Sequence, residues 1–417
     1  MNFSILILAV VLVLIAVRGI GRWRIKIWQA MLGGAVVMML SGQITPRQAL
    51  AAVDPDVMLF LFGMFVIGQA LVDSGYLYCL ADRALANIRS SDGLVLALLL
   101  GMGLASALLM NDTLAIIATP LMLRLAREHR MAPGLLLLVL AFAITLGSVM
   151  SPIGNPQNLL IAVRGGVAEP FMSFLAALGP PTLVNLLVTY GVLRWLFRRE
   201  FHGVPLVHTP AELRDPALAR LARGALLVVV LLIGLRMGLS ILGAAGNFKL
   251  SYIAVAGSLP LLLFSRRRFT LLRRIDWSTL IFFAAMFVLM AGVWLSGFFQ
   301  SSIAALHIDV TSVPAIMGVS VALSQLISNV PLVALYLPLL QHAGASLPGL
   351  MALAAGSTIA GNLLILGAAS NVIIIQNAER AGAGLGFFQF ARIGIPVTLL
   401  NAVVYWAYLS WWAASRA

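Results

Sequence analysis

Residues 54–75 read DPDVMLFLFGMFVIGQALVDSG, and residues 276–297 read DWSTLIFFAAMFVLMAGVWLSG. Asp54, Phe60, Met64-Phe65-Val66 and Ser74-Gly75 recur as Asp276, Phe282, Met286-Phe287-Val288 and Ser296-Gly297, every pair 222 positions apart. Further along, Asn111 precedes Pro120 by nine residues, as Asn329 precedes Pro338. Gly154 precedes Asn158 by four, as Gly367 precedes Asn371. Three matched blocks in one order indicate duplication. In a chain with many apolar runs, a duplicated unit points to a transporter whose site lies where the copies meet.

Composition agrees with a bilayer as the main solvent. Of 417 residues, 61% are hydrophobic and only 10% charged, far from the balance of a soluble domain. The single cysteine, Cys79, excludes a disulfide framework and any multi-cysteine metal site. A net charge of +13 would suggest nucleic acid in a soluble protein. Here the basic residues fall in short loops between apolar runs, so sidedness in the membrane explains them and no nucleic-acid partner is expected. Residues 3–17 are apolar with no positive charge before them, while Arg18, Arg22, Arg24 and Lys26 follow. That order reads as a retained helix with its N-terminus outside rather than a cleaved signal.

Apolar runs predict about ten spans, near 3–17, 27–41, 57–73, 133–163, 176–195, 222–241, 249–265, 278–297, 348–377 and 388–413. Two further stretches, 93–127 and 311–341, each have two apolar arms around a polar tip. The first is flanked on both sides by arginines (Arg83 and Arg89, then Arg124, Arg127 and Arg130), the second by His307, Asp309 and His342. They read as re-entrant hairpins, the first opening to the cytoplasm and the second outward, although charge parity alone also permits two full crossings each. Polar backbone at depth is tolerated only inside protein or beside a cavity, which favours re-entry. With this topology all but five of the 27 Lys and Arg residues lie on the cytoplasmic side, the five being Arg47, Arg164, Lys249, Arg416 and the in-span Arg236. Both termini are then outside. The expected architecture is an all-α polytopic membrane protein in two inverted-topology repeats, residues 1–195 and 222–417, joined by a polar cytoplasmic linker 196–221. Segments 77–89 and 298–307 read as helices lying in the interface, or else as ordinary loops.

Of the 14 acidic residues, Asp112 alone lies within an apolar stretch, at the first tip beside Asn111 and Thr113. A carboxylate at that depth costs several kcal/mol unless it is paired, protonated or bound to a cation. It reads as a coupling site for H⁺ or Na⁺, a role compatible with capping the second arm before Leu114, which Ser or Asn could do alone at lower cost. The other tip, Ser328-Asn329-Val330-Pro331, has no carboxylate but suits a helix start, with free N–H groups that attract polar oxygens. Ser151-Pro152-Ile153-Gly154-Asn155-Pro156-Gln157-Asn158 and Gly361-Asn362 through Gly367 to Ser370-Asn371 interrupt two spans. Such breaks free backbone groups near mid-bilayer, the way transporters build ion and substrate sites, or else they are packing kinks with bridging amides. The candidate substrate contacts are Asn111, Thr113, Asn155, Asn158, Ser328, Asn329, Ser370 and Asn371. The candidate ion-coupling set is Asp112, Asn111, Ser151, Asn329 and Asn362. Arg236 reads as a snorkelling side chain. His129, His202, His208, His307 and His342 form no spaced metal set, and no phosphate loop, zinc helix or nucleophile elbow is present. No enzyme activity, metal or bound cofactor is expected.

Asn111-Asp112 with Pro120, the run Ser151 to Asn158 and Ser328-Asn329-Val330-Pro331 resemble the ion transporter superfamily, in particular its arsenite permease and NhaD-type Na⁺/H⁺ antiporter branch. The related divalent anion:sodium symporters typically carry Ser-Asn-Thr at both tips, and here Val330 replaces one hydroxyl. The resemblance implies an inverted-repeat fold, a homodimer, and a transport part that moves past a scaffold. The function expected is secondary active transport, across the cytoplasmic (inner) membrane, of a small oxyanion or neutral oxyacid, with arsenite or antimonite as first candidate, coupled to H⁺ or Na⁺. The alternatives are Na⁺/H⁺ exchange, a Na⁺-coupled inorganic or dicarboxylate anion permease, or a passive channel working with a separate ATPase subunit.

Overall fold

The duplicated stretch is one helix with its own start and stop. Asp54 caps the first copy, its Oδ1 accepting from the N–H groups of Asp56 (3.0 Å) and Val57 (3.2 Å). Asp276 caps the second by accepting from Thr279 N (3.0 Å). At the other end Gly75 and Gly297 take φ of +75° and +69°, a left-handed turn open to glycine at little cost. Ser74 and Ser296 hydroxyls donate back to the carbonyls of Leu71 and Val293. Between these ends Met64-Phe65-Val66 and Met286-Phe287-Val288 are buried.

The computed structural model describes residues 3–17, 26–201, 213–243, 248–298, 301 and 311–415. Its helices are α1 (Phe3–Val17), α2 (Ile27–Leu40), α3 (Pro46–Ala52), α4 (Pro55–Ser74), α5 (Tyr76–Leu85), α6 (Ser91–Leu108), α7 (Asn111–Glu128), α8 (Pro133–Val149), α9 (Pro156–Arg164) and α10 (Pro170–Leu196). There follow α11 (Pro216–Ile241), α12 (Leu250–Phe264), α13 (Arg268–Arg274), α14 (Trp277–Leu295), α15 (Val313–Ile327), α16 (Asn329–His342), α17 (Leu347–Ile359), α18 (Ala369–Arg380) and α19 (Phe387–Ala414). No strand occurs among the described residues. The order of α1 to α10 returns in α11 to α19, except that the place matching α5 falls in 298–307, mostly outside the described residues. Arg18, Arg22, Arg24, His202, His208, Glu212, His307, Asp309 and Arg416 also lie outside them.

The fold is that of an all-helical polytopic membrane protein, with six described helices long and apolar enough to cross a bilayer. They are α4, α6, α10, α11, α14 and α19. The expected spans at α1, α2 and α12 are shorter, 15, 14 and 15 residues. At 1.5 Å per residue such helices reach about 22 Å, less than the roughly 30 Å hydrocarbon core.

Two groups of helices pack among themselves. In one, α4 lies on α12 and α11, α2 lies on α14, and α1 lies on α2. Gly63 brings α4 so close to α12 that a Cβ there would sit 2.6 Å from the Ala254 carbonyl oxygen. In the other, α8 packs between α6 and α7, and α17 packs on α15, α16 and α19. From Gly134 to Val149 every residue of α8 is buried, as is every residue of α17 from Gly349 onward. A helix apolar all round belongs in a core, and these two form it. Gly147 crosses Gly103 where a Cβ would meet the Gly103 oxygen at 2.0 Å, and a Cβ on Gly356 would meet Ser320 Cβ at 2.9 Å.

The structure adds a fourth repeated block that the sequence reading missed. Phe171, Phe174, Pro180, Thr182 and Asn185 of α10 match Phe387, Phe390, Pro396, Thr398 and Asn401 of α19, each 216 positions on. Asn401 Nδ2 donates to Asn185 Oδ1 (2.8 Å), and the Thr182 and Tyr405 hydroxyls lie 2.6 Å apart.

Three expectations need correction. The linker is shorter than 196–221, because α11 starts at Pro216. Asp215 Oδ1 accepts from Ala217 N and Leu218 N, and proline suits the first helical position. The helix expected over 77–89 ends at Leu85. Asp112 is not the cap of α7: the cap position is Met110, the helix begins at Asn111, and Asp112 lies in its first turn.

Candidate functional site

The first tip and the first break are joined. Leu109-Met110 link α6 to α7, and Asn111 N donates to the Gly154 carbonyl (3.0 Å). A Cβ on Gly154 would come within 2.8 Å of backbone oxygens of both Ser148 and Ser106, so only glycine lets the break seat there. Pro152 and Pro156 flank it and cannot continue α8. The freed carbonyls are taken up locally. Asn158 Nδ2 donates to the carbonyls of Ser148, Val149 and Ser151 (3.0–3.1 Å), and Asn158 N to Asn155 Oδ1 (2.8 Å). Asn155 Nδ2 donates to Ser148 Oγ at 2.9 Å.

This break reaches the other copy. Asn155 Nδ2 and Gln157 Nε2 both donate to Thr358 Oγ1 of α17 (3.3 Å), and Thr358 Oγ1 donates to Asn158 Oδ1 (3.4 Å). Thr358 stands 213 positions after Thr145, the same spacing as Gly154 to Gly367. Thr145 of α8 points the opposite way: its Cγ2 would lie 3.7 Å from a Cβ on Gly361 in the second break. Each copy thus sends one threonine into the other copy's break. Spacing alone offered no signal for Thr145, Thr358 or Gln325, because a lone polar residue in an apolar helix is ordinary, whereas Gln157 lies inside the polar run of the first break.

The second tip and break are joined through Gly361. The chain leaves α17 through a short turn at Ala360–Asn362 and another at Ile365–Gly367 before α18. Asn371 Nδ2 donates to the Gly361 carbonyl (2.6 Å), and Gln325 Nε2 of α15 to the Ala360 carbonyl (2.7 Å). A Cβ on Gly361 would lie 3.7 Å from Asn329 Nδ2. Ser328, the cap of α16, takes φ +68° and ψ 156°, and its side chain makes no capping bond. That region is essentially restricted to glycine and costs about 1–3 kcal/mol for another residue.

The two breaks differ in how their polar atoms are used. In the first, the amides of Asn155, Gln157 and Asn158 are engaged. In the second, Asn329 Oδ1, Asn371 Oδ1, Ser370 Oγ, Gln325 Oε1, Thr145 Oγ1 and both Asn362 side-chain atoms are buried without a protein partner. An unmet buried polar atom costs about 1–3 kcal/mol, so a group of them calls for a ligand. The set is almost wholly oxygen, which suits a small hard cation or hydroxyl donors. No basic side chain joins the hydrogen bonds of either tip or break among the described residues, nor does a metal-holding group of His, Cys, Asp and Glu occur there.

The remaining candidates fall elsewhere. Thr113 faces the first helix group: a Cβ on Gly68 of α4 would touch its Cγ2 at 2.6 Å. Asp112 is half-buried beside it, with no hydrogen bond or ion pair to its carboxylate among the described residues. Ser151 Oγ accepts from Ile153 N (3.3 Å). Arg236 is buried with its guanidinium 5.8 Å from the Phe248 ring centroid.

Arg164, at the end of α9, ties the two helix groups. Its Nε pairs with Asp54 Oδ2 (2.9 Å), a terminal nitrogen donates to the Ala52 carbonyl (2.7 Å), and the guanidinium lies 4.5 Å from the Phe287 ring centroid. Its counterpart is Arg380 at the end of α18, since Gly166 and Gly382, two residues on in each copy, both take positive φ. The partner of that counterpart would be Asp276, and no ion pair joins Arg380 to Asp276 in this structure, whereas Arg164 and Asp54 are joined.

A model of a family described as citrate transporter (CitMHS) matches residues 10–349. An uncharacterized transporter of Mycobacterium tuberculosis is 28% identical over 86% of each chain. The silicon efflux transporter of Oryza sativa subsp. japonica is 27% identical over 89% of this chain and 90% of its own. The crystal structure of the Alcanivorax borkumensis YdaH transporter superposes with a TM-score of 0.55 over 99% of this chain and 97% of its own, at 15% identity, a likeness of fold.

Proposed function

We propose, from the premise that this chain belongs to the citrate transporter (CitMHS) family, that it moves a small, neutral or weakly charged oxyacid by cation-coupled alternating access. Its family and relatives make it a membrane transporter and not an enzyme. The substrate class rests on one observation: apart from the Asp112 carboxylate, the polar side chains at tips and breaks are amides and hydroxyls, with no arginine or lysine among them. A strongly charged anion there would meet only helix ends and amides. A hydroxide such as arsenite or antimonite in its neutral form, or silicon hydroxide by likeness to the rice relative, would instead exchange hydrogen bonds with Asn and Ser side chains.

The coupling ion in this reading is H⁺ or Na⁺. Asp112 takes it up in one arrangement, and the unpartnered oxygens around Gly361 offer a second place for a cation. The family description favours a second reading, a carboxylate carried together with bound cations that neutralise it. Movement follows from the two helix groups. The group built on α8 and α17 travels past the group built on α4 and α14. Leaving its present position separates Arg164 from Asp54, and the duplicated geometry lets Arg380 then meet Asp276.

The deciding experiment is uptake into vesicles reconstituted with the purified protein. Arsenite, antimonite, silicon hydroxide, sulfate, succinate and citrate are compared with and without Na⁺ and pH gradients. Accumulation of a neutral hydroxide supports the first reading and accumulation of citrate or succinate the second. A Na⁺-dependent pH change with no oxyacid present overturns both in favour of exchange.

A further inference from the structure

A cavity of about 290 Å³ bounded by α5, α6, α7 and α11 lies outside the two breaks and reaches the apolar side of the first tip at Leu109 and Leu114. Leu77 and Leu80 of α5, Leu98 and Leu104 of α6, Ile117 of α7 and Leu226 of α11 represent its walls. Tyr78 carries the one polar side chain in the lining. The volume is at the low end of small-ligand sites, about 300–1,000 Å³. Leu80 and Leu104 are 44% and 60% exposed, so the slot opens sideways at the level of spanning helices, where hydrocarbon is the solvent.

Positive charge surrounds one end. The Arg214 guanidinium lies 5.7 Å from the ring centroid of the lining Tyr78. Arg223 is one turn before the lining residue Leu226 on α11. Both arginines are exposed. The nearby acid on α5, Asp82, is paired with Arg124 (3.0 Å) and does not offset them. An apolar slot with an arginine rim fits a molecule with a hydrocarbon tail and an anionic head.

We propose that this slot binds one acyl chain of an anionic phospholipid, with Arg214 and Arg223 taking its headgroup. The glycine in the lining makes the site testable. A Cβ on Gly101 meets nothing within 4 Å, so a larger side chain there enters the slot without displacing α6.

Full-length protein in neutral detergent is incubated with phosphatidylglycerol or phosphatidylcholine of matched chains, and retained lipid is read by native mass spectrometry. The wild type retains phosphatidylglycerol over phosphatidylcholine. Gly101→Leu loses retention of both, while Gly101→Ala, too short to fill the slot, behaves as wild type. Arg214→Gln and Arg223→Gln keep the chain but lower the preference for phosphatidylglycerol by about fivefold each. Leu104→Trp, from an exposed lining position, blocks the slot independently and decides the matter if Gly101→Leu does not fold. Equal retention of the two lipids by wild type, or undiminished retention by the blocked variants, overturns the proposal.

Discussion

Asn401 donates to Asn185 across 2.8 Å, and the two residues hold the same place in α19 and α10, 216 positions apart. A residue bonded to its own counterpart lies where the two copies face each other. Both amides are fully buried, and Asn185 Nδ2 donates in turn to the Asn401 carbonyl (3.4 Å). The pair is thus a contact between copies placed deep in the bundle rather than a packing accident at its rim.

Replacing Asn185 with leucine leaves the Asn401 amide without its acceptor. The loss expected is about 1 kcal/mol, within the range of interhelical hydrogen bonds in membranes. Asn401→Leu costs a similar amount. The double variant loses less than the two together, because no amide is left stranded. Thermal unfolding of the four proteins in one detergent measures this, and strict additivity would rule out a direct bond.

Arg164 and Asp54 give a second prediction. In this arrangement they hold the two helix groups together while Arg380 and Asp276 stand apart. Asp54→Asn therefore disfavours the present state, and Asp276→Asn disfavours the opposite one. Partly exposed pairs contribute at most about 1 kcal/mol, roughly a fivefold shift in population. Labelling of a cysteine placed near a break, from either face of oriented vesicles, reads the shift. Changes of the same sign in both variants would show that the two pairs do not alternate.

Ser328 gives a third. It holds φ +68° without a capping bond, at the junction of α15 and α16. Glycine occupies that region freely. Ser328→Gly is expected to raise the thermal midpoint, by relief of about 1–3 kcal/mol of backbone strain. Transport falls at the same time, because the tip becomes free to take other conformations. A lower midpoint would mean that the serine side chain, not its backbone, matters there.

These residues also mark what the sequence made legible. The repeated stretch at Asp54 and Asp276 could be read because caps, left-handed glycines and a fixed spacing are local signals. The breaks could be read because Pro152, Gly154 and Pro156 cannot sit in a helix without consequence. Thr145 and Thr358 could not. Their roles depend on which copy each faces, a matter of tertiary placement that leaves no periodic trace. The start of α11 is signalled by Asp215-Pro216, but its charged neighbours give the stretch the composition of a linker. The cap position of α7 is Met110, two residues before Asp112, which matters because it frees the carboxylate from a structural task.

That freedom shapes the final prediction. The carboxylate of Asp112 neither caps α7 nor joins an ion pair among the described residues, and it sits in the first helical turn. Asp112→Asn keeps the shape and removes the charge, so folding should be preserved within about 0.5 kcal/mol. Coupled accumulation should vanish, while downhill exchange of substrate persists. Na⁺ provides the separating measurement. If the cation binds the unpartnered oxygens around Gly361, added Na⁺ raises the thermal midpoint of Asp112→Asn as it does that of the wild type, and Asn371→Ala abolishes the rise. If Asp112 itself holds Na⁺, the rise disappears in Asp112→Asn. If neither protein responds to Na⁺, the ion taken up at Asp112 is the proton, and uptake by the wild type must then follow an imposed pH gradient. A variant lacking this carboxylate that still concentrates substrate against a gradient would remove Asp112 from the mechanism.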